Sequence, residues 1–481
     1  MNASWRFSDS SLGFLPLLLL LSILLWVFTT TGGQQVFVKE VLGGAYDSQA
    51  EHFLQGNVDV DTAAISHEAM IVDGKVRMYF GPFPAFLRIP LNFIYPAGHG
   101  KWSRVSGFCA GIIALCAFAG LVRTALRVSP LLPRARSWIG NTCIIGFALG
   151  SPLLLLLGNL SIYDEAIIWG LAWSLAALHF ALRSRQALPA GASRSDAGAV
   201  ETGALTRSLL GFSLCAAGAL LSRATFGMPF ILIAVLLALR LPKESRMTNL
   251  LILLLPLGAA FAFYVWLSYA RFGGFTGVNY DYYTNPLHGE FAHEHGMFAL
   301  RRVPYSFADY FSLHFPGLAG EPPFLRAGRH SFNYPSLFSN PDSEVYISLV
   351  WSSSWLVFAA IMGITCLVRW KRADLFEWGV AVALLAQSIC ILSYFLLAQR
   401  YATDLYPFLI FCLVIFLGSR EIALPWSRHV LTGLVALSVV INSLATVSWL
   451  LSADQNVPSQ TKAAWEKLLG RNSQGSLSDD L

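Results

Sequence analysis

Apolar runs of about twenty residues recur from one end of the sequence to the other, and a helix of that length matches the hydrocarbon thickness of a bilayer. Of the 481 residues, 55% are hydrophobic and only 13% charged, against about 25% charge in an ordinary soluble domain. Such a chain cannot cover its apolar surface with polar groups, so lipid is its solvent. The expected spans are about eleven, at 12–31, 105–126, 138–157, 163–182, 205–221, 225–240, 249–270, 345–368, 376–397, 402–418 and 429–451. The first follows Arg6 but is longer than a signal-peptide core and lacks a small-residue cleavage site, so it reads as a retained helix.

Basic residues assign the loops to sides. Arg123, Arg127, Arg134 and Arg136 occupy one loop, and Arg183, Arg185, Arg194 and Arg207 the next on that side. Arg240, Lys243, Arg246, Arg369, Lys371, Arg372, Arg420 and Arg428 continue the series. The opposite short loops hold only Arg223 and Arg400. By the positive-inside rule the arginine-rich side and the N-terminus are cytoplasmic. Long loops at 32–104 and 271–344 then face outwards, and loops of that length generally have a function. The expected organisation is a membrane module at 1–270 containing the first outer loop, a second outer loop at 271–344, C-terminal spans at 345–451 and a polar tail at 452–481. A flexible linker is expected at 189–203, and a short helix around 461–469.

The basic residues lie in short clusters between spans rather than in one patch, which argues against nucleic-acid binding. All seven cysteines sit within apolar runs without a CxxC pair and read as small core residues. No Walker loop, dinucleotide fingerprint or nucleophile elbow is present.

The polar chemistry concentrates in the outer loops. Residues 45–55 have the spacing of an amphipathic helix at the interface, 69–79 that of a hairpin turning at Asp73-Gly74, and the Pro-broken stretch 80–95 that of a segment on the membrane surface. Asp47 and Glu51 share one face of the expected helix. Like charges at that spacing destabilise it by about 0.2 to 0.5 kcal/mol, so a basic partner, a metal or a proton is expected. Asp164 and Glu165 open the fourth span, where acids either cap a helix or serve a site bordering hydrocarbon. Arg400, against the charge bias, suits either a phosphate or lipid headgroups. The second loop offers His288, His293-Glu294-His295, Arg301, Arg302, His314, Arg329 and His330, and is expected to contact an anionic substrate. Its histidines lack the i, i+4 spacing of a helical zinc site. Asp59-Val60-Asp61 has the form of a metal-binding DxD on a strand.

Taken in order, these features resemble the GT-C superfamily of polyprenyl-phosphate-sugar-dependent glycosyltransferases, which includes protein O-mannosyltransferases and the aminoarabinose transferase. The likeness is carried by Tyr46-Asp47 early in the first outer loop, Tyr79-Phe80-Gly81-Pro82-Phe83-Pro84 at its end, Tyr163-Asp164-Glu165, Leu221-Ser222-Arg223-Ala224-Thr225, and Gln399-Arg400-Tyr401 before a late span. The resemblance implies an all-α polytopic membrane protein with two large extracytoplasmic loops. It also implies inverting transfer of a hexose or pentose from a polyprenyl-phosphate donor to a lipid, glycan or protein acceptor. In such an enzyme Asp47 would be the general base, and Arg400, Arg301 and Arg302 would attend the phosphate. Tyr163, Asp164, Glu165 and Glu51 would bind substrate or, for the acids, a divalent metal. Ser48 stands where a second acid would follow Asp47, so metal dependence stays open. The expected location is a bacterial plasma membrane rather than the endoplasmic reticulum. Two alternatives remain: a polysaccharide ligase or polymerase centred on Arg301, Arg302 and His314, and a transporter or flippase with no transferase activity.

Overall fold

The computed structural model describes residues 13–188, 202–275, 277–320, 322–326, 328–329, 337–339, 345–369, 374–451 and 457–470. The linker expected at 189–203 falls almost wholly outside them, as does His330. The fold is all-α. Eight helical stretches are long and apolar enough to cross a membrane, among the described residues. They comprise α4 (Ser103–Val128), α5 (Pro133–Gly158), α6 (Ile162–Ala187), α7 (Gly203–Ser222), α9 (Arg246–Phe272), α13 (Leu375–Leu392), α14 (Tyr406–Gly418, with a preceding turn from Gln399) and α15 (Pro425–Leu451). The other expected spans coincide with shorter apolar helices, α1 (Leu15–Thr29), α8 (Ala224–Ala238) and α12 (Ser354–Arg369). Each of the eleven apolar runs is thus helical.

Local chemistry sets the ends. The Asp374 side chain accepts from the Phe376 amide at 2.8 Å while Glu377 accepts from the Asp374 amide at 3.1 Å, a reciprocal cap that starts α13. Helix α9 stops at Gly273, whose φ of 68° suits a residue without Cβ. Between helices, small residues allow close approach. A Cβ on Gly363 of α12 would lie 2.0 Å from the Cys412 carbonyl oxygen of α14. Helix α6 packs between α4 and α7 at the centre of the bundle.

A charged cluster marks each end of the bundle. At the C-terminal end of α6, Arg185 and, from the end of α8, Arg240 lie 2.7 and 2.9 Å from the Asp374 carboxylate. Glu165 sits at the other end, twenty residues and therefore about 30 Å away along the same helix.

Around Glu165 the first loop forms α2 (Ala45–Leu54), the antiparallel hairpin β1 (Met70–Val72) and β2 (Lys75–Arg77), and α3 (Phe83–Ile94). Asp73 and Gly74 both have positive φ, 51° and 75°, as a two-residue turn pairing Val72 with Lys75 requires. The amphipathic pattern of α2 suggested a helix lying at the interface. Instead Ala45 to Ala50 are all buried, packed against α3 and the hairpin, because Asp47 is drawn inwards by a cation. The 80–95 segment is helical despite Pro90, exposes Phe93 and Ile94, and buries Arg88.

The second loop forms α10 (Pro286–His295) and α11 (Val303–Tyr310), and it is tied to the first. Thr284 donates its amide to the Ala69 carbonyl at 3.1 Å, and Met70 bridges Tyr283. The tail helix α16 (Ser459–Leu468) returns to the same end: Arg104 donates to the Thr461 hydroxyl at 2.7 Å, and Trp465 packs 5.6 Å from Phe28.

Candidate functional site

Asp47 on α2, Arg88 on α3 and Glu165 on α6 form one enclosed cluster, each side chain 0% exposed. Arg88 Nη2 donates to both Glu165 oxygens, at 2.7 and 2.8 Å, and its Nε lies 3.4 Å from Asp47 Oδ2. Leaving either partner of a buried ion pair alone would cost about 3 to 5 kcal/mol, so the three residues specify one another. Two carboxylates against one guanidinium leave the cluster formally short of positive charge.

The compensation expected for Asp47 and Glu51 comes separately, from Arg88 for Asp47 and from solvent and His99 for Glu51. Glu51 is half-exposed and lies 2.9 Å from His99. It stays apart from the enclosed cluster. One residue after Asp47, Ser48 donates to Asp61 Oδ2 at 2.7 Å and accepts from the Asp61 amide at 2.8 Å. The Ser48 hydrogen bond holds the Asp61 carboxyl below the usual range, against the opposing effect of burial, with His52 assisting. The neighbouring phenol of Tyr46 is pushed well up by burial and then by Glu165, while Arg88, Arg271 and Arg223 pull it down. That one phenol thus lies within electrostatic range of all four charges.

Asp164 and Glu165 divide their roles. The Ser161 hydroxyl and amide donate to Asp164 Oδ2 at 2.6 and 3.3 Å, so Asp164 caps α6 while Glu165 faces Arg88. Asp59-Val60-Asp61 forms no strand, and its carboxylates diverge. Asp59 pairs with Arg77, and Asp61 precedes a short helical turn as its cap residue.

Glu68 is a further buried acid, surrounded by phenols. Tyr79 and Tyr283 donate to its Oε2 at 2.7 and 2.6 Å, and Tyr163 donates to its Oε1. These tyrosines come from the first loop, the second loop and α6, so a single carboxylate joins all three.

Above Tyr163 stands Arg400, its guanidinium 4.6 Å from that ring and 5.2 Å from the ring of Tyr401, distances at which a cation is attracted to the ring face. Arg223 also lies over the Tyr401 ring, 5.0 Å from its centre, and 3.4 Å from the buried Asp404, which accepts from Thr225 at 2.6 Å.

A cavity of about 600 Å³ opens beside these residues, between α8, α9, α13 and the Phe80-Gly81-Pro82 segment. Its polar wall carries Tyr163, Arg223, Arg271, Tyr394 and Tyr401, and the remainder is largely apolar side chains of the bundle, such as Leu232, Leu267 and Ala386. Gly81 permits this closeness: a Cβ there would lie 2.2 Å from the Ser222 carbonyl oxygen.

Other expected residues are placed elsewhere. Arg302 is fully buried, but its guanidinium donates to the carbonyls of Leu337, Met297, Ser393, His295 and Gly296, which makes it a tie for the second loop. Arg301 is exposed. His288 contacts Ser339 at 2.7 Å and His293 contacts Asp281 at 3.1 Å. Among the described residues no three His, Cys, Asp or Glu side chains gather as a metal would require. The cation between Asp47 and Glu165 is a guanidinium, and that donor set does not fit a divalent ion.

The residues that sequence reasoning missed are Arg88, Glu68, Arg271 and Asp404. A lone arginine within the apolar stretch 80–95 was a usable signal for Arg88, because an isolated charge at that depth needs a partner. Nothing in the sequence distinguishes Glu68 from any loop carboxylate.

No protein-family model matches the sequence, and no curated protein does. The structure is similar to the crystal structure of the Archaeoglobus fulgidus oligosaccharyltransferase in its apo form, with a TM-score of 0.51 and 13% identity over 99% of this chain. The match covers 62% of that longer chain. A second similar structure is that of ArnT from Cupriavidus metallidurans in the apo state, with a TM-score of 0.33, 12% identity, and coverage of 95% of this chain and 84% of that one. The chain is an integral membrane protein with a GT-C-like fold.

Proposed function

We propose that the protein is a membrane glycosyltransferase that moves a sugar from a polyprenyl-phosphate donor to a hydroxyl of a lipid, glycan or protein acceptor, with inversion at the anomeric carbon. The observation that carries this reading is the juxtaposition of an apolar cavity walled by membrane helices, arginine and tyrosine groups at its polar wall, and a buried acid cluster beside it. An amphiphile with a long apolar chain and an anionic head matches such a cavity.

In the proposed reaction the acceptor oxygen attacks the anomeric carbon as the bond from that carbon to the phosphate oxygen breaks. The bonding pair leaves with the phosphate, and the acceptor proton passes to Asp47. A positioned carboxylate contributes roughly 10²- to 10⁴-fold to such a step. Arg88 is a positioning residue that fixes the Asp47 carboxylate through its own anchorage on Glu165. Because Asp47 is enclosed, the acceptor's approach requires a local opening around it. Arg400 and Arg223, stacked about Tyr401, stabilise the departing phosphate. No step is routed through a metal.

The arginine-rich ends of α6 and α8 lie opposite the acid cluster, which by the positive-inside rule supports chemistry on the extracytoplasmic face, and a bacterial plasma membrane is part of the proposal. Incubating the purified protein in nanodiscs with a panel of polyprenyl-phosphate sugars and membrane-derived acceptors tests the reading. Release of polyprenyl phosphate from at least one donor is expected. Folded protein that moves substrate across vesicles yet releases no sugar from any donor would identify a transporter instead.

A further inference from the structure

Other buried arginines among the described residues face an acid or backbone carbonyls: Arg77 meets Asp59, Arg88 meets Glu165, Arg104 meets Glu40, and Arg302 is held by carbonyls. Arg271, in the last turn of α9, is the contrast. It is 4% exposed, and its Nη1 donates to the Phe80 carbonyl at 2.9 Å. Its Nε and Nη2 have no acceptor among the described residues. A guanidinium removed from water with donors unmet is costly, and a bound anion would remove that cost.

We propose that Arg271 binds the phosphate group of a lipid-linked ligand in the cavity it lines, through its Nε and Nη2. These two donors lie on one edge of the planar guanidinium, the edge that grips two oxygens of a phosphate by parallel hydrogen bonds. The anion is lipid-linked because the adjoining walls, Leu232 of α8, Leu267 of α9, and Ala386 and Ile391 of α13, are apolar and belong to the membrane bundle. The site adjoins the acid cluster through Phe80, whose ring lies 6.5 Å from that of Tyr46 and 5.5 Å from that of Tyr163. This inference rests on the lipid-phosphate reading of the cavity and adds the residue that selects the phosphate.

The test compares binding of undecaprenyl phosphate, undecaprenol and inorganic phosphate to the full-length protein in nanodiscs, for wild type, Arg271→Gln and Arg271→Lys. Wild type is expected to prefer the lipid phosphate over the alcohol by at least tenfold, with inorganic phosphate a poor competitor. Arg271→Gln is expected to lose that preference while binding undecaprenol as before, and Arg271→Lys to retain part of it. A merely structural arginine would move binding of phosphate and alcohol together. If wild type discriminates and Arg271→Gln discriminates equally well, Arg271 is not the ligand and the lipid-phosphate reading survives. Should wild type itself fail to prefer the phosphate, that reading falls and the inference with it. Displacement by inorganic phosphate at matching concentration would overturn the lipid part of the claim. Where Arg271→Gln does not fold, the comparison rests on Arg271→Lys, for which full retention of the preference with the cation kept and the fork removed argues against two-oxygen binding.

Discussion

Arg88 is fixed on Glu165 by one nitrogen that reaches both carboxylate oxygens, at 2.7 and 2.8 Å, and from that anchorage its Nε faces Asp47. The first-loop acid is thus held in place by a residue on α6, across two elements far apart in sequence. Replacing Arg88 with Met would leave two buried carboxylates facing each other, and a loss of about 3 to 5 kcal/mol is expected. Arg88→Lys keeps the charge but cannot serve both acids, so it should fold and lose most transfer activity. Thermal unfolding read beside turnover separates the two effects.

The anchorage explains which parts of the site were legible. Apolar run lengths place each of the eleven expected spans, because span length is set by the bilayer and not by the partners of any residue. The Asp73-Gly74 turn is legible for an equally local reason, since it needs two residues that tolerate positive φ. Asp47 stands out by its position after the first span and Glu165 by its place at a helix start. Arg88 stands out only as a lone charge in an apolar stretch and Glu68 not at all, because each owes its role to partners 77 and 95 or more residues away: Glu165 for Arg88, Tyr163 and Tyr283 for Glu68. The inward turn of α2 is not legible for the same reason, as amphipathicity reports a polar face without saying whether water or a guanidinium meets it.

Glu68 should act as the fastening between the outer loops. Glu68→Ala leaves the hydroxyls of Tyr79, Tyr163 and Tyr283 without this acceptor, at about 1 to 3 kcal/mol for each that stays buried and unpaired. Limited proteolysis should then cut the 271–344 region faster than in wild type, while Tyr283→Phe, which removes one donor and leaves none stranded, should change the rate much less.

Gly81→Ala places a methyl group 2.2 Å from the Ser222 carbonyl oxygen and 2.4 Å from that of Leu221, and backbone atoms cannot swing aside. A loss of about 1 to 3 kcal/mol is expected, the usual cost of overpacking. Because Gly81 also lines the cavity, lipid-phosphate binding should weaken more than thermal stability alone explains. The same substitution at Gly433, which has nothing within 4 Å of its Cβ position and lies in the interior of α15, serves as the control: lipid-phosphate binding should be unchanged, and stability equal or higher by up to about 1 kcal/mol.

The most direct test of the central claim is single-turnover sugar release from a polyprenyl-phosphate donor, comparing wild type with Asp47→Asn. Asparagine keeps the shape and removes the base, so release should slow by at least about 10²-fold while donor binding is unchanged. Turnover equal to wild type in folded Asp47→Asn protein would contradict the account and move the chemistry away from Asp47.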